Sequence, residues 1–390
     1  MKIVADPIIP FVKQAFEKFG SVECVSGRTI TREHIRDADI LVIRSTTGID
    51  ATLLDGTSVR FVANASAGED HLDLDYLHAH GIGVASALGS NANSVAEYVI
   101  SALLALGPSF YQGRTLGVIG VGQVGSRLVA KASALGMEVL ENDPPLQRKT
   151  GWKNFVDLPT LLAESDVVTC HVPITTTGSD PTYHLLNDAN LGLIPSHGIL
   201  INTARGEVVD NVALLKTLGS KRLAGAVLDV FEGEPVVRNE LLRAVTLATP
   251  HIAGHSIDGK VAGTRMAYEA VREFLGDGPE WNPDNFGPLS DDISITISPD
   301  MDLHDAIAYA VHTVYDVRND DCTFRPTWGL NDEERRIAFD RLRTEYPAHR
   351  EFWVVTVQVP SIHANLMTVL GGVGFQVEAT SKDCEGGSSE

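Results

Sequence analysis

The chain has 390 residues, a formal net charge of −20, 44% hydrophobic and 21% charged residues. That length favours two or three domains over a single core. The acidic balance argues against nonspecific binding to nucleic acid or an anionic membrane, and no apolar run is long enough to span a bilayer.

The N-terminus, MKIVADPIIP, has one lysine before Asp6 and Pro7 break the apolar stretch. It reads as a first strand, not a signal peptide, and a cytoplasmic location is expected. Cys24, Cys170, Cys322 and Cys384 show no CxxC pairing, which fits reduced thiols in a reducing compartment. Over residues 1–88, KIVAD, ADILVIRS, FVANASAG and GIGVAS read as strands, and PFVKQAFEKF and DLDYLHAH as helices: an α/β unit. NSVAEYVISALLAL is an apolar helix with Asn93 or Ser94 as candidate N-cap.

A second α/β unit begins after Gly113. RTLGVIGVG reads as a strand and glycine-rich turn, VGSRLVAKASALG as a helix and MEVLEND as the next strand. TLLAESDVVTCHVP, HGILINTARG, AGAVLDVF and VTLATPH supply further strand ends, and VAGTRMAYEAVREFLG a helix that crosses back to the first unit. From Asp277, GDGPEWNPDNFGPLSDD is a linker by its Pro, Gly and Asp content. Beyond it, ISITISPD and EFWVVTVQVP as strands, with HDAIAYAVHTVYDV and DEERRIAFDRLRTEY as helices, make a small α+β domain. The tail, 381–390, reads as disordered.

Gly120-x-Gly122-x-x-Gly125 lies between a strand and a helix. Gly120 permits the turn, Gly122 lets backbone N–H groups reach a pyrophosphate, and Gly125 allows close helix–strand packing. Asp143, 18 residues past Gly125, is placed to accept hydrogen bonds from the adenosine ribose, which favours NAD over NADP. It can also serve as a turn aspartate before Pro144 and Pro145.

Arg205, Glu234 and His251 follow three buried-strand patterns, 29 and 17 residues apart. Beside a nicotinamide they have roles in oxidising a 2-hydroxy acid. His251 would take the C2 hydroxyl proton, Glu234 would orient the imidazole and stabilise its charged form, and Arg205 would grip the carboxylate. His251 and His255 make an H-x-x-x-H spacing, but no third ligand pattern accompanies it and no metal is expected.

These motifs resemble the D-isomer-specific 2-hydroxyacid dehydrogenase family over most of residues 35–275. The resemblance implies two Rossmann-like doubly wound domains, one inserted in the other: residues 1–90 with 257–285 as the substrate domain, and 91–256 as the NAD-binding domain. It also implies a small C-terminal α+β dimerisation domain, 286–380, and hence a homodimer. Uncovered apolar strands such as ISITI and WVVTVQV argue in the same direction. The family's arginine, glutamate and histidine fall on Arg205, Glu234 and His251. NAD contacts would fall on Gln123, Val124, Asp143, Val172, Thr203, Ala204, Arg205, Asp229 and Gly254. Ser45 and Ser66 match substrate-contacting positions. His255 stands where tyrosine is common, and the motifs match most closely members acting on a phosphorylated 2-hydroxy acid. Its phosphate needs donors in an acidic protein, and Arg44, Ser45, Thr46 and His255 are the candidates. Open alternatives are a 3-phosphoglycerate-oxidising enzyme and an NAD-sensing corepressor-like binding protein.

Overall fold

The computed structural model describes residues 1–283, 293–361 and 363–380. The expected tail at 381–390 and a domain boundary near 285 lie outside these described residues. The chain divides into two compact units, Met1–Asn93 with His255–Asp291 and Ser94–Gly254 with Asp292–Glu390.

In the first unit, short apolar segments form β1 (Lys2–Ala5), β2 (Ser21–Cys24), β3 (Ile40–Ile43), β4 (Phe61–Asn64) and β5 (Gly83–Ser86). All pairings are parallel, in the order β2-β1-β3-β4-β5. All four residues of β3, ILVI, are buried, as a parallel strand covered on both faces requires. The helix Ile257–Phe274 belongs to this unit. Ser256 caps it by accepting a hydrogen bond from the Gly259 N–H, and Ala267, Tyr268 and Val271 join the core beside Ile3, Phe16 and Val42. The strand order reverses between β1 and β3, so the carboxyl ends of those two strands flank the crevice where such sheets bind ligands.

The second unit carries β6 (Thr115–Ile119), β7 (Glu138–Asn142), β8 (Val167–Cys170), β9 (Ile199–Asn202), β10 (Gly225–Leu228) and β11 (Leu247–Ala248). Their order is β11-β10-β9-β8-β6-β7, again all parallel. The glycine-rich turn follows β6, at the reversal between β6 and β8. The helix Ala92–Leu106 starts before the expected cap. Ser94 therefore lies inside the first turn, where its buried hydroxyl donates to the Ala253 carbonyl at 2.8 Å. A tertiary hydrogen bond has replaced local capping.

Strands β12 (Ile293–Thr296), β13 (Val355–Pro360) and β14 (Gln376–Thr380) form a separate three-stranded parallel sheet. Its apolar residues do not await a second copy. Ile295, Val355, Val357 and Val359 pack with Ile307, Val311 and Leu370, and with Val99, Leu103 and Leu128 of the preceding domain, in one continuous core. A buried ion pair sits at the same junction: Lys131 Nζ lies 3.3 Å from Glu97 Oε1 within the preceding domain, and its second bond, to the Val373 carbonyl, crosses to the C-terminal segment. Among the described residues no helix is long and apolar enough to cross a membrane.

Candidate active site

The glycine turn after β6 has the geometry its residues dictate. Gly120 has φ +88°, a left-handed value that favours glycine. A Cβ at Gly125 would lie 2.1 Å from the Gly120 carbonyl oxygen, so only glycine lets the helix Gln123–Ala134 begin this close to the strand. Nothing lies within 4 Å of a Cβ placed at Gly122, which leaves room there for a ligand. Asp143 does two jobs within the protein. Its Oδ2 accepts from the Val121 N–H at 2.9 Å and its Oδ1 caps the next helix through the Leu146 N–H at 2.9 Å. The turn reading of Asp143 is thus realised, and the carboxylate is fixed at the end of β7 beside the glycine turn. Val172 packs where a side chain at Gly120 would clash. These residues fit a dinucleotide.

Arg205 follows β9 through a short hydrogen-bonded turn. Asn202 Nδ2 donates to the Arg205 carbonyl at 2.8 Å, Asn202 Oδ1 accepts from the Ala204 N–H at 3.0 Å, and Arg205 Nη1 donates to the Ala204 carbonyl at 2.8 Å. A Cβ at Gly206 would lie 2.0 Å from the Phe231 carbonyl carbon and 2.5 Å from the Glu232 nitrogen. The Arg-Gly pair is therefore what lets the loop after β9 lie directly on the loop after β10.

That second loop carries Glu234, whose Oε1 accepts from the Phe231 N–H at 2.7 Å while its Oε2 meets His251 Nδ1 at 2.8 Å. With the Nδ1 proton donated to a carboxylate, Nε2 is left with the lone pair, and among the described residues it has no hydrogen-bond partner. His251 has φ +58°, a left-handed backbone that costs a non-glycine residue energy. Buried Asp229 holds it there. Its carbonyl accepts from the His251 N–H at 2.7 Å, and its carboxylate accepts from Thr249 Oγ1 and from the Ile252 and Ala253 N–H groups. Burial pushes the Asp229 carboxyl upward, partly offset by His251 and these donors. Asp229 thus shapes the histidine turn, a role beyond the expected cofactor contact.

In the first unit, Arg44 to Thr47 form a turn after β3, closed by the Thr47 N–H to the Arg44 carbonyl at 3.1 Å. Ser45 is exposed and Thr46 half-buried. Ser66 donates its hydroxyl to Asn64 Oδ1 at 2.5 Å. Half-buried His255 directly precedes the capping Ser256.

Comparison with known proteins decides the family. Residues 104–253 match the model of the D-isomer specific 2-hydroxyacid dehydrogenase NAD-binding domain, and residues 290–371 match one described only as a domain of unknown function. Erythronate-4-phosphate dehydrogenase of Salinibacter ruber is 44% identical, covering 94% of this chain and 97% of the relative. That of Pseudomonas putida is 41% identical, covering 97% and 100%. The chain belongs to the D-isomer specific 2-hydroxyacid dehydrogenase family, among the erythronate-4-phosphate dehydrogenases. It is therefore an NAD-dependent oxidoreductase. Among solved structures, D-lactate dehydrogenase of Aquifex aeolicus, complexed with NAD and lactic acid, aligns with TM-score 0.58 and 26% identity. It covers 71% of this chain and 96% of its own. NAD-bound 3-phosphoglycerate dehydrogenase of Entamoeba histolytica gives 0.60 and 26%, covering 70% and 95%.

Two histidines of this dehydrogenase escaped the sequence reading. His171, between β8 and Val172, hydrogen-bonds with Thr169 Oγ1 at 3.0 Å and Thr203 Oγ1 at 3.3 Å. Enclosure of its ring pushes its pKa down to about 3, so it stays neutral near pH 7 and its carbonyl forms the wall under Gly120. His184 Nε2 meets Glu232 Oε1 at 2.5 Å, and Asp210 lies near. Because Glu232 Oε2 also accepts from the Asn211 N–H at 2.8 Å, this cluster ties the loop after β10 to the helix Asn211–Gly219. No spacing rule signals either histidine, since Thr203 and Glu232 reach them from the ends of distant strands.

Proposed function

We propose that the chain oxidises 4-phospho-D-erythronate at C2 to (R)-3-hydroxy-2-oxo-4-phosphooxybutanoate, a step of pyridoxine 5′-phosphate biosynthesis. The observation that carries this reading is the 44% identity to an erythronate-4-phosphate dehydrogenase along nearly the whole of both chains. The hydrogen-bonded Glu234–His251 pair supports it. Arg205 holds the substrate carboxylate, His251 Nε2 takes the C2 hydroxyl proton, and Glu234 stabilises the resulting imidazolium. NAD, when bound, accepts the hydride released from C2. Gly120, Gly122, Gln123, Val124, Gly125, Asp143, Val172, Thr203, Ala204, Asp229 and Gly254 hold the dinucleotide. Arg44, Ser45, Thr46, Ser66 and His255 serve the phosphorylated end of the substrate.

The test is absorbance at the reduced-nicotinamide band with NAD and 4-phospho-D-erythronate, alone and with 2-oxo acids as acceptors, against 3-phosphoglycerate. Turnover should favour the four-carbon substrate. Absence of any absorbance change with every 2-hydroxy acid would favour a binding protein.

For cofactor choice, Asp143→Ala should relax the preference for NAD over NADP, read as the ratio of kcat/KM for the two. The lost helix cap should also cost about 1 kcal/mol of stability. An unchanged ratio would remove Asp143 from cofactor selection.

A cytoplasmic homodimer completes the reading. The free thiols of Cys24, Cys170 and Cys322 fit a reducing compartment. Exposed Tyr309, Ile337 and Trp353 offer apolar surface for a second copy. Light scattering on the full chain should return twice the 41.9 kDa of one copy. Deleting residues 293–380 is a poor test, because it would open the shared core.

A further inference from the structure

We propose that Lys260 is the second cation of the substrate's phosphate site, acting with Arg44 and the turn hydroxyl of Thr46 to select a phosphorylated 2-hydroxy acid over its unphosphorylated form. The proposal rests on the substrate reading above and adds one residue to its phosphate site.

The geometry begins at the reversal between β1 and β3. Asp6 follows β1 and is buried; its Oδ2 accepts from Arg44 Nε at 3.0 Å and from the Gly27 N–H at 3.3 Å, and its Oδ1 accepts from the Ile8 N–H at 2.9 Å. That single bond through Nε fixes the guanidinium plane. Among the described residues the two terminal nitrogens of Arg44 take no protein partner, so the fork suited to two phosphate oxygens is left open. Gly27 marks how tightly the surrounding oxygens gather. A Cβ there would lie 2.1 Å from Thr47 Oγ1, 2.9 Å from Asp6 Oδ2 and 3.2 Å from Thr46 Oγ1. Both threonine hydroxyl oxygens are buried without a hydrogen-bond partner, and Thr47 as a whole is 1% exposed. Buried hydroxyls of this kind are normally satisfied, and two on one turn point to a missing ligand.

Lys260 comes from a distant part of the chain and lies close enough to Arg44 for the two charges to repel. It lies in the opening turns of the helix Ile257–Phe274. That stretch rests on the carboxyl ends of the strands: a Cβ at Gly259 would meet the Ser90 carbonyl oxygen at 3.3 Å, and one at Gly263 the Ala65 carbonyl oxygen at 2.3 Å. Thr264, one turn past Lys260 and on the same helix face, donates to the Pro10 carbonyl at 3.0 Å, just beyond β1. The ammonium of Lys260 has no hydrogen bond or ion pair among the described residues. It is held mostly out of water, and burial, with the neighbouring Arg44 charge, lowers its pKa. Arg44 has Asp6 as its counter-charge but Lys260 has none among the described residues, and an enclosed ammonium beside a guanidinium is a stability cost that a doubly charged phosphate removes.

The experiment compares wild type, Lys260→Met and Lys260→Arg by three readings. These are KM for 4-phospho-D-erythronate against D-erythronate, binding of inorganic phosphate by calorimetry, and the ligand-free melting temperature. Lys260→Met should raise KM for the phosphorylated substrate by about 10- to 100-fold, the loss of one charge-assisted contact, with D-erythronate affected by less than about threefold. It should weaken phosphate binding by a similar factor yet raise the ligand-free melting temperature, which loss of a merely structural lysine would lower. Lys260→Arg should keep most of the phosphate affinity. Equal effects on both substrates, or undiminished phosphate binding in Lys260→Met, would overturn the proposal. If wild type binds phosphate through Lys260 but does not oxidise 4-phospho-D-erythronate, the anion site stands and the substrate reading fails.

Discussion

Replacing His251 with asparagine should lower kcat by about 10²- to 10⁴-fold, the range that a positioned general base supplies, while NADH affinity stays within about twofold. Asparagine is chosen because the backbone at this position has φ +58°, which asparagine tolerates better than most residues do. The turn that Asp229 organises through the Ile252 and Ala253 N–H groups should therefore survive, and the loss should report chemistry and not folding. Fluorescence titration with NADH and stopped-flow absorbance separate the two. Glu234→Gln gives the companion result. An amide can still accept the Nδ1–H bond that Glu234 Oε2 accepts at 2.8 Å, but it no longer offers a negative charge to the imidazolium. The oxidation rate should fall by about 10-fold or more, read as kcat by stopped-flow absorbance, because the imidazolium formed when His251 takes the proton loses its charged partner. A His251→Asn enzyme turning over at the wild-type rate would take the imidazole out of the mechanism altogether.

The parts of this dehydrogenase that could be read from its sequence are those with local causes. ILVI, ILI and GAVL are short apolar runs because parallel strands are covered on both faces, and each is followed by a polar residue, Arg44, Asn202 or Asp229. The glycine turn was legible because Gly120 and Gly125 meet a steric requirement within six residues. The pairing of Glu234 with His251 was legible through their strand-end positions and the chemistry they share. What stayed hidden depends on contacts between distant segments. Lys260 is one lysine on a helix whose neighbours at the turn after β3 lie more than 200 residues earlier. His171 and His184 find distant partners, Thr203 and Glu232, at other strand ends. The expected capping role of Ser94 yielded to a buried bond with Ala253, which outweighs local preference. The alternating pattern of ISITI identified a strand but not its partner. Its parallel pairing with β13, and its place in a core shared with residues near Leu103, come from packing that no local period encodes.

The second large effect is expected from a residue with no functional group. Gly206→Ala should destabilise the fold by about 3 kcal/mol, the upper end for forcing one extra methyl into a packed site. The new Cβ would sit 2.0 Å from the Phe231 carbonyl carbon and 2.1 Å from its oxygen. These are backbone atoms, so no rotamer change relieves the clash. The loops after β9 and β10 must move apart. That displaces Arg205 on one loop and Glu234 on the other, and a shift on the order of 1 Å can cost about 100-fold in rate. The melting temperature should fall by roughly 6–12 °C, as a loss of this size does in a unit of this length. Activity measured well below the transition should still be depressed, which separates misplacement from unfolding. Gly219→Ala is the control: it ends the helix Asn211–Gly219, and a Cβ there meets nothing within 4 Å, so stability and rate should be unchanged or slightly improved. If Gly206→Ala were as stable and active as Gly219→Ala, the close approach of the two loops would not be what sets the positions of Arg205 and Glu234.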